Sequence, residues 1–545
     1  MKEVALHAPK VRWFAAEPVE LSDRRLWIAA AAILLLSLAQ RLYFYTGFYG
    51  SDEVTYLGAA VRALNGDFSP KNYIGSIRYG FQLPIAGLMY VFGQTEAVAN
   101  LWTMFCSMAE IALLILIGNQ IVGLRASVLA GLLLGTLPLH VHYAGRLMAD
   151  PPLALFMTAT FLLFWLGQRS GRPFYFFLSG LAAGMVLWIK ESTVIFLAVF
   201  LTFPFVFRCW NWRWGWMLVG FGLMFGTNLL FFNTVAGDPL YAFRIAGGSV
   251  SAYTGTDVRF AGVIDSPLFY PQYLLAKPYH TWLLGYLALA GLLVWASLKY
   301  KHAADAADVA AMSFVVWWGI GMLLLFSLLP VSFAPTKLIT KQVNYMLMFM
   351  APLALLGGFA LAKLRAVSLG FVTVLLVLPA AILSAMEKNV VEVFTVNSKA
   401  TVAFARKNFG VPVYGAIGAQ RAAAFEALVA PRGGQVQIAE MVGPISELGR
   451  AGAAYIVFDG ETADWGLKNG WRRDDVPSCW ISNGVLPAHP SLAMPLMFKT
   501  FRTAAVRVPG PLGIRAVQQI DALTQQEPAN VFLAPPGGCS EAVVE

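Results

Sequence analysis

The sequence predicts a multi-spanning α-helical membrane protein that ends in an α/β domain, and three observations predict it. Hydrophobic residues make up 58% of the 545 residues and charged residues only 13%, whereas a soluble domain carries roughly 25% charge. Long apolar runs recur between Leu26 and Met386 and then stop. Residues 387–545 contain only short apolar runs bounded by glycine, which is typical of a water-soluble domain.

The N-terminal segment, residues 1–25, is polar and precedes the first apolar run. It lacks the short basic region and the cleavage site of a removed signal peptide. We therefore expect a cytoplasmic N-terminal segment, followed by a retained first transmembrane helix from Leu26 to about Phe44.

The later apolar segments predict about eleven spans in a transmembrane domain of residues 26–386, although several are shorter than the roughly 20 residues that a span needs. They are 97–119, 122–139, 152–168, 174–189, 192–207, 214–233, 281–298, 310–330, 343–362 and 366–386. The segments on either side of "IKES" (189–192) could form one interrupted span or a hairpin. A hairpin gives every short inside loop at least one Lys or Arg, as the positive-inside rule requires. The N-terminus is then inside, and the C-terminal domain is outside.

The tail, residues 387–545, is expected to be an extracytoplasmic α/β domain. "VPVYGAIG" (411–418) and "AAYIVFDG" (453–460) are typical of buried strands, while "SKATVAFARKNFG" and "ISELGRAG" are typical of helices with glycine stops. From residue 390 onward there are 13 basic and 13 acidic residues, so the whole net charge of +9 belongs to the membrane part. The basicity is therefore no indication of nucleic-acid binding. Cys479 and Cys539 both lie in this domain, and whether they form a disulfide stays open.

Acidic and basic residues recur together at the predicted outer ends of the spans. The long first outer loop, residues 46–96, begins with Asp52 and Glu53, and the later outer turns contain Arg146 with Asp150 and Lys190 with Glu191. Ionised side chains at membrane depth usually pair or line a wet cavity. Asp52 could instead cap the following helix, and Asp150 before Pro151 could mark a helix start. Three such turns in succession favour one common site.

The order of these motifs resembles that of a known family. The "DE" after the first span, "RLMADPPLALF", "GLAAGMVLWIKEST" and the late "NYMLMFMAPLALLGGFAL" are similar to the polyprenyl-phosphate-dependent glycosyltransferases of the GT-C fold. The similarity is greatest to the branch of protein O-mannosyltransferases and the lipid A aminoarabinose transferase (glycosyltransferase family 39), and it covers about residues 25–385.

The resemblance implies an enzyme of the bacterial inner membrane that transfers a sugar from a polyprenyl-phosphate donor to a hydroxyl group of a lipid, glycan or protein on the periplasmic side. Asp52 matches the family's essential acid and would be the general base, with Glu53 orienting the acceptor. Asp150 matches a second acid that shapes the cavity. In some relatives that acid helps to hold a metal, so a divalent metal cofactor stays open.

Fixed cations would stabilise the leaving phosphate of such a donor. The outer cations nearest the membrane face are Arg78, Arg146, Lys190 and Lys341, and each could instead snorkel to lipid headgroups. The chain departs from the family at two positions, where Gln82 and Asn344 occupy places that are often Lys and Arg. Arg78 and Lys341, the latter one turn before Asn344 on a helix, are the expected substitutes.

Other functions fit parts of the pattern. A transporter or flippase for a lipid-linked sugar would also have many spans, but it should show paired repeats with broken helices, and the two halves show none. A scaffold that presents the tail would leave the outer acids without a role. His140 and His142 suggest metal binding, but residues at i and i+2 do not share a helix face, so interfacial positions are favoured.

The predicted orientation can be tested by fusing alkaline phosphatase after Lys388. We expect an active fusion, because this reporter folds only outside the cytoplasm. An inactive fusion that is well expressed would contradict the outside location of the tail.

Overall fold

Each of the eleven apolar segments predicted from the sequence contains a helix in the computed structural model of the chain. Within the described residues, seven helices are long and apolar enough to cross a membrane, or eight if the bent pair Leu124–Thr136 and Pro138–Ala144 is one span. Three of the predicted segments form shorter apolar helices, Pro173–Ile189, Glu191–Phe207 and Leu284–Tyr300. The chain is thus a multi-pass membrane protein, and the number of eleven crossings stays a prediction.

The structure describes residues 23–255, 266–300, 306–333, 336–364, 368–430, 436–440, 452–459 and 476–536. Its helices up to residue 300 are α1 (Arg24–Tyr43), α2 (Glu53–Leu64), α3 (Tyr79–Phe92), α4 (Glu96–Val122), α5 (Leu124–Thr136), α6 (Pro138–Ala144), α7 (Asp150–Ser170), α8 (Pro173–Ile189), α9 (Ala198–Phe207), α10 (Gly215–Ala236), α11 (Tyr241–Gly255), α12 (Phe269–Ala276), α13 (Pro278–Thr281) and α14 (Leu284–Tyr300). The later helices are α15 (Ala306–Leu328), α16 (Leu347–Lys363), α17 (Leu369–Lys407), α18 (Ile417–Val429), α19 (Pro495–Val506) and α20 (Pro511–Thr524).

The described strands are β1 (Pro330–Phe333), β2 (Thr336–Leu338), β3 (Val413–Gly415), β4 (Ile438–Glu440), β5 (Ala454–Phe458), β6 (Ile481–Leu486) and β7 (Ala529–Ala534). Short 3₁₀ helices cover Ile74–Ile77, Glu191–Leu197, Trp212–Trp214 and Val343–Met346.

The chain forms two compact units. The first unit consists of residues up to Leu38, Cys106–His140 and Asp150–Ala380, and the second consists of Ala39–Phe105, Val141–Ala149 and Ala381–Glu545. The predicted domain boundary at residue 387 falls within α17, which continues as one helix to Lys407. The domain limits given by the sequence stay a prediction.

Helix α16 is the centre of the first unit, where it packs against α5, α7, α14 and α15. Glycine permits the closest of these approaches. A Cβ atom at Gly358 would lie 2.3 Å from the carbonyl oxygen of Ala126 on α5, and one at Gly291 on α14 would lie 2.1 Å from that of Leu356. Small residues of this kind let helices pack closely where lipid offers no hydrophobic driving force between them.

The second unit joins the first outer loop to the tail. Helix α2 packs against both α3 and α18. The Arg421 side chain donates a hydrogen bond to the carbonyl oxygen of Gly50 at 2.6 Å, and the rings of Phe48 and Phe425 lie 4.9 Å apart. The first outer loop is therefore part of one packed body with residues more than 300 positions later, which the sequence did not indicate.

The tail contains a mixed five-stranded sheet with the order β4-β3-β5-β7-β6. β3 pairs in parallel with β4 and β5, while β7 pairs antiparallel with β5 and β6. Helix α18 connects β3 to β4, as a parallel pair requires. β3 and β5 lie within the two predicted strand segments, so the predicted α/β class is confirmed.

Two expectations about the tail fall at least partly outside the described residues. The predicted helix "ISELGRAG" covers residues 445–452 and, except for its last glycine, is outside them. Cys479 is disulfide-bonded, and Cys539 is outside the described residues.

Candidate active site

Asp52 directly precedes α2 and has a carboxylate that the helix does not use. Its side chain makes no capping hydrogen bond to the backbone. The hydroxyl group of Tyr73 donates to Asp52 Oδ1 at 3.4 Å, which is long for a hydrogen bond between oxygens. The capping role that the sequence allowed for Asp52 is therefore not what its side chain does, and the carboxylate is partly exposed.

Glu53, the next residue, is buried and firmly bonded. Its Oε1 atom accepts hydrogen bonds from Arg146 Nη2 at 3.0 Å and Nε at 3.3 Å. Its Oε2 atom accepts the backbone N–H of Ser51 at 2.7 Å. Glu53 and Arg146 are only 1% and 5% exposed, so this is an ion pair almost without water.

The remaining faces of the Arg146 guanidinium are also in contact. Its Nη1 lies 3.3 Å from His142 Nε2, and its central carbon lies 4.1 Å above the ring of Tyr49 and 5.2 Å above that of Tyr143. Burial is the largest single influence and disfavours the charged form, but Glu53 and the two neighbouring tyrosines together outweigh it and raise the pKa of Arg146. We call Glu53, Arg146, His142 and Tyr49 the Glu53 cluster; it belongs to the second unit.

Arg78 and Gln82 belong to the same unit and lie on the first outer loop and α3. Arg78 is 7% exposed and donates a hydrogen bond to the Tyr56 hydroxyl, with its central carbon 5.4 Å from the ring. Gln82 donates to the carbonyl oxygen of Gly75 at 2.5 Å. At the position where relatives often have Lys, Gln82 thus stabilises the loop itself.

Asp150 is the centre of a second cluster, in the first unit. As the first residue of α7 it is 2% exposed. Its Oδ1 atom accepts a hydrogen bond from Asn344 Nδ2 at 3.0 Å and lies 3.8 Å from Lys190 Nζ. The same Nζ lies 4.1 Å above the ring of Tyr345. Asp150, Lys190, Asn344 and Tyr345 form the Asp150 cluster.

Asn344 and Lys341 make different contacts from those expected from the sequence. Asn344, where relatives often have Arg, binds Asp150 directly. Lys341 was expected one helical turn before it, but it precedes the 3₁₀ helix that begins at Val343. Its Nζ atom donates to the carbonyl oxygen of Ile339 at 3.0 Å, and the side chain is buried.

The sequence interpretation missed a buried polar network in the first unit. Glu110 of α4 is fully buried. Its Oε2 atom lies 3.0 Å from His140 Nε2, and its Oε1 atom accepts a hydrogen bond from Thr158 at 2.9 Å. His140 Nδ1 lies 3.1 Å from the Ser107 hydroxyl. A single carboxylate within the apolar sequence of α4 was the available signal, since such groups seldom lie in a span without a partner.

The arrangement of these residues does not favour a metal site. No group of three or more His, Cys, Asp and Glu side chains that could hold a metal occurs among the residues described. His140 and His142 are both buried and bind different partners, Glu110 and Arg146. The Asp150 carboxylate is already paired with the Lys190 ammonium group and with an N–H of Asn344, and neither partner is a metal ligand in that form.

Comparisons with known proteins agree with this architecture. A family model described as dolichyl-phosphate-mannose-protein mannosyltransferase matches residues 80–231, less than a third of the chain. The crystal structure of ArnT from Cupriavidus metallidurans in the apo state is similar with a TM-score of 0.50 and 17% identity, covering 81% of this chain and 93% of that one. The resemblance to GT-C glycosyltransferases is confirmed. The same ArnT bound to undecaprenyl phosphate gives a TM-score of 0.51 with the same identity and coverage.

At this level of identity the structural similarity establishes the fold. A search of curated proteins gave no significant match. The roles of the site residues therefore depend on the geometry described above, and those predicted from the sequence stay predictions.

The two neighbouring acids should differ in their contribution to stability. Glu53→Gln leaves the buried Arg146 charge uncompensated, and breaking such a pair costs about 3–5 kcal/mol. Asp52→Asn should change stability by less than about 0.5 kcal/mol, as surface changes usually do. Thermal unfolding of the purified protein in detergent should show a lower melting temperature for Glu53→Gln alone. A lower melting temperature for Asp52→Asn, with that of Glu53→Gln unchanged, would contradict this difference between the two acids.

Proposed function

We propose that the protein is an integral membrane glycosyltransferase that moves a sugar from a polyprenyl-phosphate donor to a hydroxyl acceptor, with Asp52 as the general base. The observation that carries the proposal is that the Asp52 carboxylate is partly exposed and only weakly bonded. Of the three predicted catalytic acids, Glu53 is bound to Arg146 and Asp150 to Asn344. Asp52 has no described cation within ion-pair distance and makes no capping bond.

Asp52 suits the role of a base for a chemical reason. The acceptor oxygen attacks the anomeric carbon of the donor sugar, the bond from that carbon to the phosphate oxygen breaks, and the acceptor proton passes to the Asp52 carboxylate. A base must be ionised and able to accept a proton. Glu53 is unsuited to accept it, because protonation would break the buried pair with Arg146.

Glu53 and Arg146 then contribute to the reaction by holding Asp52 in place. Glu53 is the first residue of α2, and its bonds to Arg146 and to the Ser51 backbone fix the turn that contains Asp52. Most of the N–H donors of Arg146 are directed at Glu53, Ser51 and His142. We therefore propose Arg146 as a positioning residue rather than as a ligand of the donor phosphate.

Lys190 is the favoured cation for the donor phosphate. Its ammonium group has three N–H donors, and it makes no hydrogen bond to a described residue, since Asp150 is 3.8 Å away. Burial by Tyr345 and Asp150 limits its hydration and fixes its position. A fixed, partly dry cation stabilises the charge that grows on a leaving phosphate. Arg78 and Lys341 stay secondary candidates, because both already donate to neighbours.

A lipid donor is supported by an apolar cavity of about 700 Å³ in the first unit. It is lined by α9, α14 and α15, and its lining follows α15 from Ser313 to Leu328. That length of helix is about 22 Å, most of the roughly 30 Å hydrocarbon core of a bilayer. A hydrocarbon chain fits such a space, and a water-soluble nucleotide sugar has no group to fill it.

The cellular setting follows from the sequence. We infer that the enzyme lies in a bacterial inner membrane with its active face and tail on the periplasmic side, as the distribution of Lys and Arg in the short loops indicates. The tail would hold or select the acceptor, a lipid, glycan or protein. No step in this proposal requires a metal.

Asp52→Asn should strongly slow transfer while leaving the protein folded. A positioned general base contributes typically 10²–10⁴-fold in rate, so a loss of that size is expected with purified protein and synthetic polyprenyl-phosphate sugars. Asp67→Asn is the matched control, since Asp67 is an exposed acid just after the same helix. Wild-type rates for a folded Asp52→Asn variant would contradict the base assignment.

Lys190→Gln should reduce the use of donor more than the use of acceptor. A charge-assisted hydrogen bond is worth roughly 1.5–3 kcal/mol, which corresponds to about a tenfold to hundredfold loss in kcat/KM for the donor, with the KM of the acceptor nearly unchanged. Lys363→Gln, at an exposed lysine of the same unit, is the control. Turnover with a nucleotide sugar and none with any polyprenyl-phosphate sugar would refute the donor class itself.

A further inference from the structure

The tail contains a helical hairpin with an unusual end. Helices α19 and α20 pack against each other. Arg502 on α19 holds Asp521 on α20 through two hydrogen bonds, Nε to Oδ1 at 2.6 Å and Nη2 to Oδ2 at 3.1 Å. The helices are joined by a turn of four residues, Arg507–Gly510. Short connections of this kind make two helices antiparallel.

The turn has a defined shape. The backbone N–H of Val508 donates to the carbonyl oxygen of Ala505 at 3.0 Å. Gly510 has φ +80°, a conformation that favours glycine, and Pro511 begins α20, where its fixed φ is suitable. A Cβ atom at Gly513 would lie only 2.0 Å from the carbonyl oxygen of Val508. The side chains at this end are therefore presented on a well-formed scaffold.

Large apolar side chains at this end of the hairpin are exposed. Val506, Val508, Leu512 and Ile514 are 63%, 47%, 74% and 62% exposed. We call residues 506–515 the apolar tip. Burial of such side chains is favourable, and clusters of this kind mark interaction sites, unlike isolated exposed residues.

Two arginines accompany the apolar side chains. Arg507 and Arg515 are exposed, and among the described residues no carboxylate lies within ion-pair distance of either. Apolar side chains beside unpaired basic ones are the composition of segments that lie in the headgroup region of a bilayer. The charge is complementary to anionic lipids.

The other end of the hairpin packs against the ends of the apolar stretches of α1 and α17. Ala493 and Phe498 pack with Phe44 and Ala385. The backbone N–H of Ala493 donates to Asn389 Oδ1 at 2.7 Å. Phe44 directly follows α1, and Ala385 and Asn389 lie about 20 residues into α17, the length that crosses a bilayer. The base of the hairpin is therefore at the level of a membrane face.

The length of the hairpin keeps its tip within reach of the lipids. Helix α19 has 12 residues, so the tip is at most about 18 Å from the base. A standard protein–protein interface uses about 20–30 residues on each side, more than this tip offers. We propose that the apolar tip lies in the headgroup region of the bilayer, with Val508, Leu512 and Ile514 against the acyl chains and Arg507 and Arg515 on the phosphates of anionic phospholipids.

The proposal can be tested by fluorescence in nanodiscs of phosphatidylcholine and phosphatidylglycerol. The full-length protein with Cys106→Ala and Cys209→Ser would receive one new cysteine, Leu512→Cys or Val508→Cys, labelled with a polarity-sensitive dye. Gln518→Cys, an exposed polar position two turns along α20, is the matched control. At the tip we expect emission at shorter wavelength and strong quenching by nitroxide lipids, and at Gln518→Cys quenching by aqueous iodide.

The outcomes are distinguishable. Iodide quenching at both tip positions equal to that of the control, with no effect of nitroxide lipids, would overturn the proposal. Protection from both quenchers that appears only in discs with two protein molecules would overturn it in favour of an interface between copies. Since all three positions are exposed, each labelled protein should melt like wild type, and two independent tip positions guard against a local effect of the dye.

The role of the arginines is tested by Arg507→Gln and Arg515→Gln in the labelled background. A basic residue near an anionic surface contributes about 1 kcal/mol, or about fivefold in the equilibrium between inserted and free tip. Each change should reduce nitroxide quenching in discs that contain phosphatidylglycerol, and Lys499→Gln, outside the tip, should not. Quenching that is indifferent to lipid charge and to both arginines would overturn the assignment to anionic phospholipids.

Discussion

The carboxylate of Glu53 accepts two hydrogen bonds from Arg146, 93 residues away, in a place with almost no access for water. An ionised pair of this kind is tolerated only when both partners are present and well bonded. The Ser51 backbone, His142 and the ring of Tyr49 complete the bonding. The pair thereby fixes the beginning of α2 against residues 141–149, and the position of Asp52 depends on it.

The three acids lie in different environments. Glu53 and Asp150 are buried and held by a guanidinium or an amide, so they can give shape to the protein around them. Asp52 differs from Glu53 by one position in the chain, yet its side chain is partly exposed and is bonded only weakly, by Tyr73. A carboxylate that is bonded so weakly remains accessible for proton transfer.

The bilayer imposes the other constraint on this chain. Polar groups in the apolar interior need internal partners, and the network of Glu110, His140, Ser107 and Thr158 supplies them. Close helix approach depends on glycine, as at Gly358 and Gly291. The same unit keeps one large apolar space. The tail meets the bilayer differently, since its apolar residues at 506–514 are exposed around the turn between α19 and α20.

The sequence by itself determined the membrane class, the positions of the apolar helices and the strands β3 and β5, because these follow from local composition and periodicity. It also indicated which acidic and basic residues are candidates for the site, because they lie between predicted spans. Only the tertiary structure decided the partners: Arg146 for Glu53, Asn344 for Asp150 across 194 residues, and α18 for α2. Such pairings depend on how distant helices pack, and no local pattern encodes them. For the same reason Lys341 proved to precede its helix, and Glu110 was found only once its partners were in place.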